Sequence, residues 1–174
     1  MASVVFMRGV NVGGHKTFRP AVLARELSAF DVVNVGAAGT FVVRKTISQA
    51  ALRAELKRKL HFETDLMICA GRDVLRLVAD EPFPRTPAGK DVRRFVTVMA
   101  KPARPVPRLP VRKPAGDDWQ VSVVALSGSF ALSLWRRLGR SLVYPNEVVE
   151  KAFGVPATTR SWDTLLKIRD LLEA

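Results

Sequence analysis

Val32-Val33-Asn34-Val35-Gly36-Ala37-Ala38-Gly39-Thr40-Phe41-Val42-Val43 is the stretch on which the fold turns. Two runs of β-branched and aromatic residues stand either side of a turn built from glycine and alanine, the pattern of a β-hairpin. Upstream of it, Pro20 suits the first turn of a helix and sets Leu23, Leu27 and Phe30 on one helical face. Earlier still, Ser3 to Met7 is a short, almost wholly apolar strand, as expected where both faces are covered. Downstream, Thr46 or Ser48 can cap a second helix. Leu52, Leu56 and Leu60 form its buried stripe, and Arg53, Lys57, Arg58 and Lys59 its wet side. Asp65 to Ala70 then closes as a strand. A hairpin set between two such flanks gives the order β-α-β-β-α-β, the split βαβ arrangement of ferredoxin-like (α-β plait) domains.

The second half repeats the theme imperfectly. Gly71-Arg72-Asp73 opens a short helix through Ala79, which Pro82, Pro84 and Pro87 break. Arg94 to Ala100 alternates as a strand, and Trp119 to Leu126 with Phe130 to Trp135 flank Ser127-Gly128-Ser129 as a second hairpin. Pro145 starts a helix that Gly154 ends; Ser161 caps a last one that carries Trp162, Leu165, Ile168 and Leu172 inward. Where a first crossover helix belongs, Lys101 to Gly116 holds Pro102, Pro105, Pro107, Pro110 and Pro114. These forbid a helix and predict polyproline II. The expected fold is α+β with two ferredoxin-like halves, residues 1–86 and 87–174. In the second, a Pro/Arg-rich segment replaces a crossover helix.

A chain of 174 residues, 48% apolar and 25% charged, can bury a real core, which excludes disordered and fibrous classes. One cysteine, Cys69, excludes a disulfide framework, and with only His15 and His61 beside it no metal site is expected, nor any cofactor. Between Met67, Ile68 and Ala70, Cys69 reads as a small buried hydrophobe. The opening residues lack the basic and apolar regions of a secretory signal, and no apolar span of about 20 residues occurs, so a cytoplasmic, non-membrane protein is expected.

Charge is the unusual property: 28 Lys and Arg against 16 Asp and Glu leave a net +12. Residues 85–116 carry nine cations against Asp91 alone, a net +8 of that total. Prolines stiffen the segment, so docking to a polyanion would freeze less chain freedom. Arginine outnumbers lysine 19 to 9, and its planar fork suits phosphate. Six such contacts on B-DNA would give a log–log salt slope of roughly −5. The same bias also follows from a GC-rich coding sequence, and a basic loop can simply be solvated. No aromatic residue interleaves the cations between Pro102 and Gly116, so that segment has no platform for stacking bases.

Two motifs stand out. Arg8-Gly9-Val10-Asn11-Val12-Gly13-Gly14-His15-Lys16 follows the first strand and offers glycines for an anion-binding nest, with Arg8, Asn11, Gly13, Gly14, His15 and Lys16 as candidate contacts. Its glycine spacing matches neither a Walker A loop nor a dinucleotide fingerprint, and a tight structural loop is the plainer alternative. Val155-Pro156-Ala157-Thr158-Thr159-Arg160-Ser161-Trp162-Asp163-Thr164 combines hydroxyls, Arg160 and a helix start, with Lys167 beyond. It reads as an anion pocket or, more simply, as a capped helix whose Trp162 is core. No nucleophile elbow, zinc-protease helix or kinase set is present, and an enzyme would have to use His15 as its general base.

Phe6-Met7-Arg8-Gly9-Val10-Asn11-Val12-Gly13-Gly14 resembles the opening "FLRGINVGG" of the bacterial domain-of-unknown-function 1697 family. Gly154 to Thr164 is similar to its closing "GVPATTRNWNT", with Lys167 at the lysine that follows. The resemblance implies two α-β plait subdomains and no particular activity. The chain departs from the family pattern at Ala37-Ala38-Gly39-Thr40, where Gln-Ser-Gly-Asn is usual. It departs again at Trp135-Arg136-Arg137, where Pro-Asn-Gly is usual, and at Leu142, where a lysine is.

The leading expectation is a non-enzymatic protein that binds RNA or DNA backbone without sequence readout, through Arg104, Arg108, Arg112, Lys113, Arg136 and Arg137. The alternatives are an enzyme or binding protein for a phosphorylated or carboxylated metabolite, using the two motifs, and a protein–protein interaction module.

Overall fold

The computed structural model describes residues 1–85, 89 and 91–174. Strand β1 (Ser3–Met7) is buried along its whole length, as its unbroken apolar sequence requires. Pro20 begins helix α1 (Pro20–Glu26), and a 3-10 turn over Ser28–Phe30 takes over before the expected helical face is complete. Leu23 and Leu27 are buried and Phe30 packs beside them. The hairpin forms as β2 (Val32–Asn34) and β3 (Thr40–Val43). Ser48 caps α2 (Gln49–Lys59) by accepting from the Ala51 N–H at 3.1 Å, and Leu52 and Leu56 are its buried stripe. Strand β4 (Leu66–Ala70) and helix α3 (Gly71–Asp80) follow. The sheet runs β2-β3-β1-β4, antiparallel throughout. Its core joins Val5 and Met7 of β1 to Phe41, Val43, Leu23, Leu27, Leu52 and Leu56. Each of those larger side chains contributes about 1.5–3 kcal/mol by leaving water.

The turn of this hairpin is packed rather than loose. The Gly39 carbonyl accepts from the Met7 N–H at 2.8 Å. A Cβ at Gly39 would lie 2.6 Å from Val10 Cγ2 and 2.8 Å from Met7 Cβ, at a φ of +76°.

The second sheet contains β5 (Arg93–Met99), β6 (Val111–Lys113), β7 (Val121–Ser127), β8 (Phe130–Trp135) and β9 (Ala157–Ser161), in the order β6-β7-β8-β5-β9. All its pairings are antiparallel, with a bulge on β7 between Val123 and Ala125. Helix α4 (Pro145–Phe153) ends at Gly154, whose φ is +65°. Helix α5 (Trp162–Glu173) closes the chain, with Leu165 and Ile168 fully buried.

Two expectations are corrected here. Lys101 to Gly116 is not polyproline II throughout: between Pro110 and Pro114 stand three residues with free N–H groups, and they pair with β7 as β6. Thr158 to Asp163 is not a capped helix start: Ala157–Ser161 is strand β9, hydrogen-bonded to β5, and the helix begins at Trp162. The β-branched pair Thr158-Thr159 suits that strand.

Among the described residues the architecture is α+β, with two antiparallel sheets and five α-helices. The chain divides into two compact units, Met1–Ala79 with Thr164–Ala174, and Asp80–Asp163. The expected boundary between residues 86 and 87 lies outside the described residues, as do Pro87 and Lys90. Among the described residues no helix is long and apolar enough to cross a membrane, and no group of three or more His, Cys, Asp or Glu residues is placed to hold a metal ion.

Candidate functional site

The glycine loop of the first unit is a small hairpin in its own right. Val12 and His15 form a bridge, with the His15 N–H donating to the Val12 carbonyl at 3.0 Å and the Asn11 N–H to the Lys16 carbonyl at 3.2 Å. Gly13 and Gly14 both carry positive φ, 57° and 75°, which a two-residue hairpin turn of this kind demands. Two of the amides expected to cradle an anion are therefore engaged within the turn. Asn11 is engaged as well: its Nδ2 donates to the Ala37 carbonyl at 3.0 Å, and its Oδ1 accepts from the Phe18 N–H at 2.9 Å. Arg8 lies 3.6 Å from Asp65, both half-exposed, a pair of little energetic weight. Gly13, Gly14, His15 and Lys16 are exposed.

A cavity of about 640 Å³ in this unit was not foreseen; Lys16, Lys57, His61, Phe62, Glu63 and Asp65 are among its lining residues. Lys16 sits at a φ of +47°, uncommon for a residue with a long side chain. The sequence shows no spacing signal for this cavity, because Lys16 meets the far end of α2 only through folding.

In the second unit Arg160 lies on β9 opposite Val96 and is 7% exposed. Its guanidinium donates to Thr158 Oγ1 at 2.7 Å and to the Thr159 carbonyl at 2.9 Å. Burial pulls its pKa down to about 10, because a charge in a poorly hydrated site is disfavoured. On the neighbouring strands, Thr97 and Thr159 share a hydroxyl hydrogen bond of 2.8 Å, and Asn146 accepts from Thr159 at 3.3 Å. Of the residues expected to form one ligand site, Arg8 to Lys16 belong to the first unit, Arg160 to the second, and exposed Lys167 to the part of α5 assigned to the first.

The basic residues of the second unit divide into two kinds. Arg136 is fastened: its Nε donates to the Trp119 carbonyl at 2.7 Å, another N–H reaches the Asp117 carbonyl, and its Cζ sits 4.0 Å from the centroid of the Trp119 ring. Arg94 is held likewise, paired with Glu81 and placed over the rings of Phe83 and Trp162 at 5.2 and 5.6 Å. Lys101, Arg104, Arg108, Arg112, Lys113 and Arg137 are exposed. Among the described residues the carboxylate paired with this set is Asp117, 3.9 Å from Arg112 and itself fully exposed.

Strand β6 and helix α4 enclose a groove of about 410 Å³ that the sequence reading also missed, since it depends on β6 existing. Its apolar lining comes from Val111, Val143, Val148 and Ala152, with Arg112, Lys113, Lys151 and Glu147 completing it.

This is an α+β protein whose second unit carries a run of exposed cations from Lys101 to Lys113, while its Arg94, Arg136 and Arg160 are held by neighbouring groups. The family model described as protein of unknown function (DUF1697) matches residues 1–125, and the chain belongs to that family. The match includes the Arg8–Lys16 motif; the 154–164 motif lies beyond it. The fold is similar to that of the conserved bacterial protein SP0830 from Streptococcus pneumoniae, with a TM-score of 0.59 at 17% identity over 98% of each chain. Among curated proteins none matches the sequence.

Proposed function

We propose that this protein binds a polyanion, the phosphate backbone of RNA or DNA, through the exposed cations of its second unit. The observation that carries the proposal is the run Lys101, Arg104, Arg108, Arg112 and Lys113, exposed on a proline-stiffened segment with Asp117 as its described counter-charge. Exposed arginines and lysines release condensed counterions when they meet phosphates, and they add affinity without reading sequence. Arg136 is withdrawn from the expected contact set, since its guanidinium already serves two carbonyls and an indole. Arg104, Arg108, Arg112, Lys113 and Arg137 remain. Five phosphate contacts give a log–log salt slope of about −4.5 on duplex DNA, and each cation removed lowers it by about one. A salt titration of binding to a mixed-sequence oligonucleotide tests this. A flat profile, or no binding at about 50 mM salt, ends the proposal.

Two plait subdomains belong to the same proposal. In the first unit the order β4-β1-β3-β2 with α1 and α2 as connections supports it. In the second, β9-β5-β8-β7 repeats that order with α4 as the second connection, β6 added at the edge, and the proline segment where the first helix would stand.

A second reading, a small phosphorylated or carboxylated ligand, draws on the first-unit cavity with Lys16, Lys57 and His61 in its lining. A ligand at 100 times its Kd adds about 2.7 kcal/mol of stability. A melting-temperature screen of phosphate compounds, repeated on Lys57→Ala, decides it.

A further inference from the structure

We infer that the polyanion is a single-stranded nucleic acid whose bases, and not only its phosphates, are held by the second unit around Tyr144 and the groove between β6 and α4. The inference rests on the polyanion reading and adds the base contact that the proline segment lacks. Residues 136–144, between β8 and α4, hold three of the chain's exposed large hydrophobic side chains: Leu138 at 37%, Leu142 at 43% and Tyr144 at 50% exposure. Exposed Arg137 and Arg140 alternate with them. Cations beside apolar tips suit a ligand that presents charge and flat apolar surface together.

The loop is anchored where it meets the groove. Trp135 Nε1 donates to the Val143 carbonyl at 2.8 Å, and the Val143 N–H donates to Gln120 Oε1 at 3.2 Å. Val143 lines the groove, and Tyr144 is the N-cap of α4 with Pro145 behind it. Tyr144 therefore stands on fixed backbone, and binding through its ring orders little further chain. The groove, at about 410 Å³, is of the size and character of small-ligand sites. Arg112, Lys113 and Lys151 against the single carboxylate of Glu147 make it complementary to an anionic occupant.

Duplex DNA hides the faces of its bases in the stack, so Leu142 and Tyr144 would find sugar and phosphate there. An unpaired strand offers π faces to an aromatic ring and phosphates to neighbouring cations at once.

The test uses the full chain with four probes at one salt concentration: a mixed single strand, an abasic strand of equal length, the duplex, and anionic phospholipid vesicles. The abasic strand keeps the phosphates and removes the bases. The base-bearing strand is expected to bind about tenfold more tightly than the abasic one. Tyr144→Ala should erase that ratio while leaving abasic binding unchanged, and Tyr144→Phe should preserve it. Lys113→Glu should weaken both strands alike. Equal affinity for base-bearing and abasic strands, or tighter binding of duplex, overturns the inference and leaves the polyanion reading standing. Tyr144-dependent vesicle binding without any preference for bases assigns the loop to a membrane surface and also overturns it. No binding to any nucleic-acid probe removes both.

Discussion

Gly36 and Gly39 have the same φ, +76°, but different surroundings, and the pair separates backbone strain from crowding. Nothing lies within 4 Å of a Cβ built at Gly36, whereas one at Gly39 meets Val10 and Met7 below 3 Å. Gly36→Ala should cost about 1–2 kcal/mol, the left-handed penalty alone. Gly39→Ala should cost a further 1–3 kcal/mol or so, because Met7 and Val10 belong to a packed core. Urea titration of both variants checks this, and equal losses would show that the turn yields freely. Cys69 offers a second measurement at this scale. Burial, with a smaller contribution from the Asp73 carboxylate, pushes its thiol up to about 12. A thiol reagent at pH 8 should label the native protein far more slowly than the urea-unfolded chain, since the thiolate is the reactive form. The linkage runs one way. The folded state holds this proton more tightly, so the stability it lends is whole below the unfolded thiol's pKa of about 8.5 and declines as pH climbs toward 12. Cys69→Ala should flatten that decline.

At the scale of elements, Arg136 holds the 117–120 turn against the end of β8. Its own N–H also donates to the Gln120 carbonyl, and the Gln120 N–H to the carbonyl of Lys113, the last residue of β6. Arg136→Ala should cost about 1–3 kcal/mol and hasten amide exchange at Gln120 and along β6. Arg137→Ala, on an exposed neighbour, should stay within about 0.5 kcal/mol. Two adjacent arginines thus divide into a fastened one and an exposed one, a difference their sequence does not reveal. Elements declared by local pattern were legible: β1, the β2–β3 hairpin, the Ser48 cap, the β7–β8 hairpin, and Pro145 to Gly154. Strands made by distant partners were not. β6 is three residues long among prolines whose local signal outweighs it. β9 borders Ser161-Trp162-Asp163, which reads equally well as a helix start, and only pairing with β5 decides the matter. The burial of Arg160 follows from that pairing and was hidden with it. The exposed cations were legible because proline keeps a basic segment at the surface. The groove was not, because one of its walls is β6.

For the molecule as a whole, a net +12 sets two salt effects against each other. Self-repulsion of that charge weakens the folded state at low ionic strength, and screening relieves it. Raising salt from roughly 50 to roughly 200 mM should therefore raise the melting temperature of the free protein while loosening its hold on an oligonucleotide. Differential scanning fluorimetry with and without the oligonucleotide reads both, and a melting temperature that falls with salt in the free protein would contradict the account. The division of the chain carries a separate consequence. The first unit is made of Met1–Ala79 and Thr164–Ala174, with every residue of the second translated between them. Leu172 reaches Gly71 so closely that a Cβ there would lie 2.9 Å from its Cδ2. A nascent chain emerging from the ribosome therefore cannot finish the portion it makes first until it has made all the rest. The earlier portion must wait, its Gly71 side open, while the inserted one is synthesised and free to fold.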